Sequence, residues 1–233
     1  MSVLLRRTTR LVLVVPFAAL LFAACGDSST GPDVPSLGTT STYGILAGSA
    51  ISCVTGATVG GDIGLSPGGA SSITGFPTPC TRTGATHAAD AAAAAAQLDL
   101  TAAYNDLAGL ACGTTISADL GGTTLAPGVY CSASGLDLTG ALTLSGSGTY
   151  VFQAGSALTV ATSGSVVLAN GAQARNVYWQ VGSSASLGSG SAVKGNIVAL
   201  TSITLGTTAN LVGRALARNG LVSLAGTNTI TLP

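Results

Sequence analysis

Apolar and hydroxyl-bearing residues recur in a fixed order along the last sixty residues of the chain. Three lines that begin at Asn176, Asn196 and Arg214 repeat it: NVYWQVGSSASLGSGSAVKG, NIVALTSITLGTTANLVG and RALARNGLVSLAGTNTITL. Each line has an apolar run, a Ser or Thr beside Leu or Ile, a turn of small residues, and a Ser/Thr/Asn/Ala segment. Such self-similar steps are typical of stacked coils that cannot bury an apolar face alone. With β-branched residues and glycine turns, the pattern predicts the rungs of a β-solenoid.

Short strands are also predicted over residues 37–83, and one long helix follows them. Thr86 is the predicted N-cap, and an unbroken alanine run favours a helix over about residues 87–108. At about 1.5 Å per residue, this helix could lie along about seven rungs. The residues at helical spacing that mark its packed face are Leu100, Tyr104 and Leu107.

The remaining residues would form about six to eight coils at the observed period. The segments FQAGSALT from Phe152 and WQVGSSAS from Trp179 echo each other, and their wide separation predicts an insertion in one coil. Both aromatic residues are interpreted as core. Because strands both precede and follow the helix, the N-terminal coils are expected to cap or interleave with the C-terminal stack.

The N-terminus has the pattern of an export signal. Three arginines precede an apolar run that ends at Cys25, and this run is too short for a good membrane span. We predict a signal peptide over residues 1–24, a flexible tether over 25–36, and a single domain over 37–233. LLFAACGDSSTGP resembles a bacterial lipoprotein cleavage site, which would make Cys25 the lipidated residue; the alternative is an ordinary signal peptide. The chain is therefore expected at a membrane surface facing the periplasm or the outside, or extracellularly.

Charge is scarce. Charged residues are 7% of the chain, against about 25% in ordinary soluble proteins. After Cys25 there are five cations and eight aspartates, with no glutamate. The absence of a basic patch argues against nucleic acid as a partner. A membrane would be contacted only through a lipid on Cys25, and the chain is expected to be a monomer.

Four cysteines remain after Cys25, and an even number in an exported chain predicts two disulfides. Three pairings are open, and proximity in sequence favours the first with the second and the third with the fourth. No CxxC motif is present, and His87 is the single histidine, so no metal site and no cofactor are predicted. In chain order the cysteines are Cys53, Cys80, Cys112 and Cys131.

Catalytic chemistry is difficult to build from these residues. A Ser/His/Asp triad would depend on His87, which is predicted at the start of the helix. Paired carboxylates would have to come from aspartates that are either helical or in turn-like contexts, where Asp caps the backbone. We therefore predict no enzyme. The aspartates considered are Asp62, Asp90, Asp99, Asp106, Asp119 and Asp137.

Four tetrapeptides occupy corresponding places after a strand and its turn. They are Thr55–Thr58, Ser189–Ala192, Thr207–Asn210 and Gly226–Thr229. Stacked, they would form a ladder in which methyl groups exclude water and hydroxyl groups anchor it, so that an ordered water layer could be held. The alternative is that Ser and Thr are ordinary solvent-facing β residues. The candidate binding residues are Thr55, Thr58, Ser189, Ser191, Thr207, Asn210, Thr227 and Thr229.

A series of motifs in order resembles the secreted microbial ice-binding (antifreeze) protein family: GDIGLSPG, ITGFP, HAADAAAAAAQLDLTAAYNDLAG, DLGGTTLAPGVY, FQAGSALT, NVYWQVGSSASLG, GNIVALTSITL and GRALARNGLVSL. The resemblance covers about residues 37–233. It implies an irregular, right-handed β-solenoid of triangular cross-section with one long helix alongside. It also implies adsorption to ice, with no cofactor and no catalytic residues.

Strongly active members of that family carry a Thr-Ala/Gly-x-Thr/Asn motif on a flat face. Thr55–Thr58 matches this motif, Thr207–Asn210 departs from it only at Thr208, and Ser189–Ala192 lacks both threonines. Two other functions remain open. The face could bind a polysaccharide or protein partner in a surface adhesin or structural solenoid, or two aspartates on one face could make a carbohydrate-active enzyme.

Overall fold

The computed structural model describes residues 36–233, so the predicted signal peptide, Cys25 and nearly all of the tether lie outside the described residues. One α-helix, α1 (Ala91–Gly109), accompanies 24 short strands and three 3₁₀ turns (Gly38–Thr42, Ala70–Ser72 and Ala174–Asn176) in this part of the chain. The strands are β1 (Tyr43–Ala47), β2 (Ile51–Cys53), β3 (Thr58–Val59), β4 (Asp62–Leu65), β5 (Ile73–Thr74), β6 (Thr81–Arg82), β7 (Thr86–Ala88), β8 (Thr114–Thr115), β9 (Thr124–Leu125), β10 (Gly128–Ser132), β11 (Leu136–Leu138), β12 (Ala141–Ser145), β13 (Tyr150–Ala154), β14 (Leu158–Val160), β15 (Ser165–Ala169), β16 (Val177–Val181), β17 (Ala185–Leu187), β18 (Ala192–Lys194), β19 (Asn196–Ala199), β20 (Ile203–Leu205), β21 (Asn210–Val212), β22 (Ala215–Ala217), β23 (Val222–Leu224) and β24 (Thr229–Thr231).

The strands form three parallel sheets, and each complete coil gives one strand to each sheet. Sheet A has the order β7-β4-β1-β22-β19-β16-β13-β10-β8. Sheet B has the order β11-β14-β17-β20-β23-β2-β5, and sheet C has the order β6-β3-β24-β21-β18-β15-β12-β9. The stack therefore has seven complete coils with partial coils at its ends, which confirms the predicted β-solenoid and its coil number.

The chain does not climb the stack in sequence order. The first coil, β1 to β3, pairs strand for strand with the last coil, β22 to β24. The helix then returns along sheet A to the opposite end, where β8 begins the ascent. This arrangement confirms that the N-terminal coils cap the C-terminal stack, and it puts early and late residues side by side on each face.

The core is made of the inward-pointing rows of the three sheets. In sheet A, the rings of Tyr130, Phe152 and Trp179 stack in register, with ring centroids 5.5 and 4.2 Å apart. The indole nitrogen of Trp179 donates to the Lys194 carbonyl at 2.9 Å, so its single polar atom is satisfied inside the stack. The interpretation of Phe152 and Trp179 as core is confirmed, since both are fully buried.

The helix covers sheet A, as expected, but it begins later than predicted. Residues 86–88 form strand β7, paired with β4, so their backbone is extended and Thr86 is not the N-cap. Asp90 is the N-cap: its side chain accepts from the Ala93 amide at 2.8 Å and contacts His87 Nδ1 at 2.9 Å. His87 therefore lies in a strand and supports the cap. The buried residues of the helix are Ala93, Ala96, Leu100, Ala103, Tyr104 and Leu107.

Both favoured disulfides are present, Cys53–Cys80 and Cys112–Cys131. The predicted insertion is also confirmed, because the coil between Phe152 and Trp179 holds a longer β15 and a 3₁₀ turn before β16 begins. No helix in residues 36–233 is both long enough and apolar enough to span a bilayer.

Candidate functional site

Sheet B carries one unbroken row of outward-pointing side chains, which we call the B row. It arises because six of the seven strands have an apolar residue, a polar residue and a second apolar residue, so that only the middle one faces out, and the seventh, β5, is Ile73 followed by Thr74. Successive members are paired in register from strand to strand, about 4.8 Å apart. From the first strand of the sheet to the last they are Asp137, Thr159, Ser186, Thr204, Ser223, Ser52 and Thr74.

The hydroxyl groups of the B row face water. The Ser52 hydroxyl donates to the Ser223 hydroxyl at 3.0 Å, while the hydroxyl groups of Thr159, Ser186 and Thr204 have no hydrogen-bond partner within residues 36–233. Asp137 is the single charged member, and it lies at one end of the row. The central strands therefore present an in-register line of hydroxyl groups, with the methyl groups of Thr159 and Thr204, and no charged side chain.

The corner between sheets B and C, which we call the B–C edge, holds the four tetrapeptides found in the sequence. Their last residues open the strands of sheet C and are in register, with Ala192 beside Asn210, Asn210 beside Thr229, and Thr229 beside Thr58. Among the eight candidate residues, seven are at least partly exposed at this edge, and the structure brings them together. They are Thr55, Thr58, Ser189, Thr207, Asn210, Thr227 and Thr229.

Ser191 is the exception, and its assignment to the surface was wrong. Its relative exposure is 0%, and its hydroxyl has no hydrogen-bond partner within residues 36–233. The third residue of each edge tetrapeptide points inward because the alternation of the following strand begins there. Ala57, Asn228 and Ala209 occupy this inward position in neighbouring coils and are buried as well.

The edge turns are built in two ways. Three of the four tetrapeptides place their second residue in the left-handed region, at φ values of 63°, 69° and 59° for Gly56, Gly190 and Thr208, and Ser163 has the same conformation at 61° in the turn before β15. Thr208 is β-branched, a residue type that rarely takes this conformation. The turn at Gly226–Thr229 has no such residue.

In that turn, hydrogen bonds from the buried Asn228 side chain hold the backbone instead. Its Nδ2 donates to the carbonyls of Gly206 at 2.6 Å and Ala209 at 3.0 Å. Its Oδ1 accepts from the Gly226 amide at 3.1 Å. Asn228 thus ties its own turn to the turn of the coil below, so that Thr207 and Thr227 are held relative to one another.

Sheet C continues the edge for one row only. Asn210, Thr229, Thr58 and Thr81 are neighbours, and Thr81 Oγ1 donates to Thr58 Oγ1 at 3.4 Å. The next outward row on sheet C contains three threonines, but between them lie Lys194, the exposed Val167 and Val212. Because this row mixes a cation with larger apolar side chains, the uniform part of the surface is the B row with the B–C edge.

Two aspartates outside the B row have structural partners. Asp119 lies beside Asp137 at the end of the stack, and hydrogen bonds from the Thr139 hydroxyl at 2.6 Å and the Gly121 amide hold its pKa below the ordinary value. A bond from Thr39 lowers the pKa of Asp99 on the helix in the same way. Among residues 36–233, no three His, Cys, Asp or Glu side chains are grouped closely enough to hold a metal ion.

Comparison with known proteins bears on the family and the fold. The family model described as Ice-binding-like matches residues 45–231. The chain belongs to the ice-binding-like family. An ice-binding protein of Nostoc sp. (strain HG1) is 44% identical over 213 residues, which cover 89% of this chain and 78% of that protein. An ice-binding protein of Flavobacterium frigoris (strain PS1) is 33% identical over 225 residues, 86% and 77% of the two chains.

Solved structures of family members share the fold. The crystal structure of an ice-binding protein from an Antarctic biological consortium has a TM-score of 0.82 and 43% identity, covering 95% of this chain and 96% of that one. The crystal structure of an ice-binding protein from the Antarctic ascomycete Antarctomyces psychrotrophicus has a TM-score of 0.80 and 37% identity, covering 86% and 99%. These matches confirm the family resemblance and the β-solenoid.

Proposed function

We propose that the protein adsorbs to ice through the B row together with the B–C edge. The observation that supports this most directly is the B row itself, in which hydroxyl-bearing side chains follow one another on six adjacent strands. Ice is a periodic solid, so a surface that repeats at the strand spacing can match it along a line of contacts. The ice-binding names of the family members point to the same ligand.

Rigidity is the physical reason that such a row can bind a solid. The side chains stand on a parallel sheet whose other face is core, and stacked coils, the helix and two disulfides fix its position. Ordering the surface against ice therefore costs little further conformational entropy. The near absence of charge also favours ice, because strongly hydrated ions would compete with the crystal for water.

Thermal hysteresis and recrystallisation inhibition of the purified mature chain test this proposal. Thr204→Tyr places a ring at the centre of the B row, and Thr207→Tyr places one on the B–C edge. If either lifts the surface off the ice and removes about 1.4 kcal/mol of adsorption free energy, affinity falls about tenfold. Ala102→Tyr, on an exposed position of the helix, is the matched control and should keep full activity. Equal activity in all four proteins would contradict the proposed surface.

We propose further that the chain is exported and held at a membrane through a lipid on Cys25, as the sequence of residues 1–25 indicates. The contacts of the first described residues support an anchor on the side of the molecule away from the proposed ice-binding surface. Leu37 packs with the helix cluster, and the amide of Thr39 donates to Asp99 of the helix at 2.8 Å. Leu37 and Thr39 therefore lie on the side of sheet A, away from the B–C edge. Cys25→Ser should move the protein from the membrane fraction to the soluble fraction; an unchanged distribution would contradict the anchor.

We also propose that adsorption is the whole activity, with no reaction catalysed and with a monomer as the active species. His87 and Asp90 are engaged at the start of the helix, away from the B row. Sedimentation equilibrium tests the monomer: the mass should equal that of one mature chain, and a dimer that persists on dilution would contradict it.

A further inference from the structure

A groove lies between the C-terminal half of the helix and sheet A, and it extends to the corner where sheet A leads into sheet B. Its volume is about 550 Å³, within the range of small-molecule sites. Tyr104 and Ala108 of the helix form one wall, and Gln153, Gln180 and Ser132 of sheet A are among the residues of the other. No Asp, Glu, Lys, Arg or His side chain lines it.

Two glutamines are neighbours in this groove, and only one has a structural task. Gln153 and Gln180 are paired in register on β13 and β16. Gln153 Nε2 donates to the carbonyls of Leu107 at 2.8 Å and Leu110 at 3.0 Å, which completes the C-terminal end of the helix. Gln180 is only 6% exposed, yet its amide has no hydrogen-bond partner within residues 36–233.

The Gln180 amide is not among the described side-chain atoms that are both fully buried and unpaired, which are Ser191 Oγ and Arg218 Nε, so it reaches the open space of the groove. Its donor and acceptor are therefore available to a ligand. The next two positions in the same outward row of sheet A are Val198 and Leu216, which pack under the helix as apolar side chains. Glutamine at position 180 therefore gives up apolar packing. What it provides is an amide donor and acceptor directed into the groove.

Tyr104 adds a second polar group. The Arg218 guanidinium lies over its ring, 4.8 Å from the centroid, so that face of the ring is occupied. The Tyr104 hydroxyl has no hydrogen-bond partner among the described residues. The groove thus combines the unpaired amide of Gln180 and the phenol hydroxyl of Tyr104, next to alanine and glycine surfaces, while the Ser132 hydroxyl already donates to the Gly135 carbonyl at 3.1 Å.

We propose that this groove binds a neutral saccharide unit. Sugar rings present alternating hydroxyl donors and acceptors with small apolar faces, and amide and hydroxyl side chains match both functions of a hydroxyl group. The absence of any charged lining residue disfavours an anionic or cationic ligand, because burying a charge without a partner is costly. The site is separate from the B row, so the proposal does not depend on ice binding.

Titration of the ¹⁵N-labelled mature chain with glucose, N-acetylglucosamine and maltotriose, followed by NMR, tests this site. At least one sugar should shift the Gln180 side-chain amide signals saturably, with a dissociation constant of about 1 mM, the strength expected for so few ligand atoms. Gln180→Leu should fold, since the amide makes no hydrogen bond within residues 36–233 and the next position in the row, Val198, is apolar, and it should weaken binding at least about tenfold.

Two further variants separate binding in the groove from a general effect of sugar. Ala108→Trp, on an exposed helical position, should fill the groove and abolish the shifts, while Gln173→Leu, at an exposed glutamine elsewhere, should leave them unchanged. Thermal hysteresis should be the same in Gln180→Leu as in the wild type. Linear, non-saturating shifts with all three sugars, or equal shifts in Gln180→Leu, would overturn the proposal and leave a groove that holds water alone.

Discussion

Replacing Asn228 with alanine tests how the B–C edge is held in shape. The substitution removes the hydrogen bonds from Nδ2 to the Gly206 and Ala209 carbonyls and from the Gly226 amide to Oδ1, at 2.6, 3.0 and 3.1 Å. In the neighbouring coils, the ladder bond at this corner is made by the backbone, for example from the Thr58 amide to the Asn228 carbonyl.

The coil of Asn228 lacks this backbone bond, and the side-chain bonds that replace it determine how much stability Asn228→Ala should lose. Here the Thr229 amide donates to the Asn210 side chain at 3.1 Å, and the Ala209 carbonyl receives Asn228 Nδ2 in its place. The variant would therefore lose three hydrogen bonds at about 1 kcal/mol each, for a total of about 3 kcal/mol in the free energy of unfolding. For a chain of this size, Tm should fall by about 6–12 °C.

Urea unfolding and calorimetry measure the change, and Asn219→Ala is the matched control. Asn219 is exposed and its side chain makes no hydrogen bond within the described residues, so its loss should cost less than about 0.5 kcal/mol. Thermal hysteresis should also fall in Asn228→Ala at temperatures near freezing, where the chain is folded, because Thr207 and Thr227 are no longer held together. A variant within about 0.5 kcal/mol of the wild type would refute this reasoning.

Three further predictions concern the scaffold. Gly213 has φ +158°, and a Cβ there would overlap the Gly195 carbonyl oxygen of the coil below. Gly213→Ala should therefore lower the free energy of unfolding in urea by about 4 kcal/mol. Gly69→Ala, with open space around it, is the control and should be neutral, and equal losses in the two variants would contradict the stacking argument. Removing the Cys53–Cys80 disulfide as the double serine variant should lower stability by about 3.5 kcal/mol for its 27-residue separation, and an unchanged urea midpoint would show that the bridge is dispensable. The pKa values of Asp99 and Asp119 are lowered in the folded state. Both groups therefore stabilise the fold above their unfolded pKa of about 3.9, and this contribution is lost as pH falls through the folded pKa values. Tm should be steady from about pH 7 to 5 and should drop below about pH 4, whereas a flat profile down to about pH 2.5 would contradict these hydrogen bonds.

The sequence predicted the scaffold well because its repeat is a direct record of the stacking. Phe152 and Trp179, which are 27 residues apart in the sequence, are paired in register on neighbouring strands. The hydroxyl-bearing tetrapeptides lie together along the B–C edge. The start of the helix was less predictable, because Thr86 and Asp90 are both good N-caps and only the pairing of β7 with β4 decides between them.

The B row was not identified from the sequence as a surface, although its signal was present. Triplets such as Leu158–Val160, Ile203–Leu205 and Val222–Leu224 alternate apolar, hydroxyl and apolar residues, which places the hydroxyl outward on a strand. The sequence pattern does not show that the first coil pairs with the last one, which places Ser52 beside Ser223. Ser191 was misplaced for a related reason, since the inward turn at the corner depends on where sheet C begins.

Ice-affinity partition tests the central proposal most directly. The mature chain and Thr204→Tyr, each carrying a different fluorophore, would be mixed in one solution from which a single ice mass is grown slowly. The wild type should be enriched in the ice, and Thr204→Tyr should stay mainly in the liquid. Exclusion of the wild type from the ice would contradict ice binding, and equal enrichment of the two proteins would contradict the B row as the surface that adsorbs.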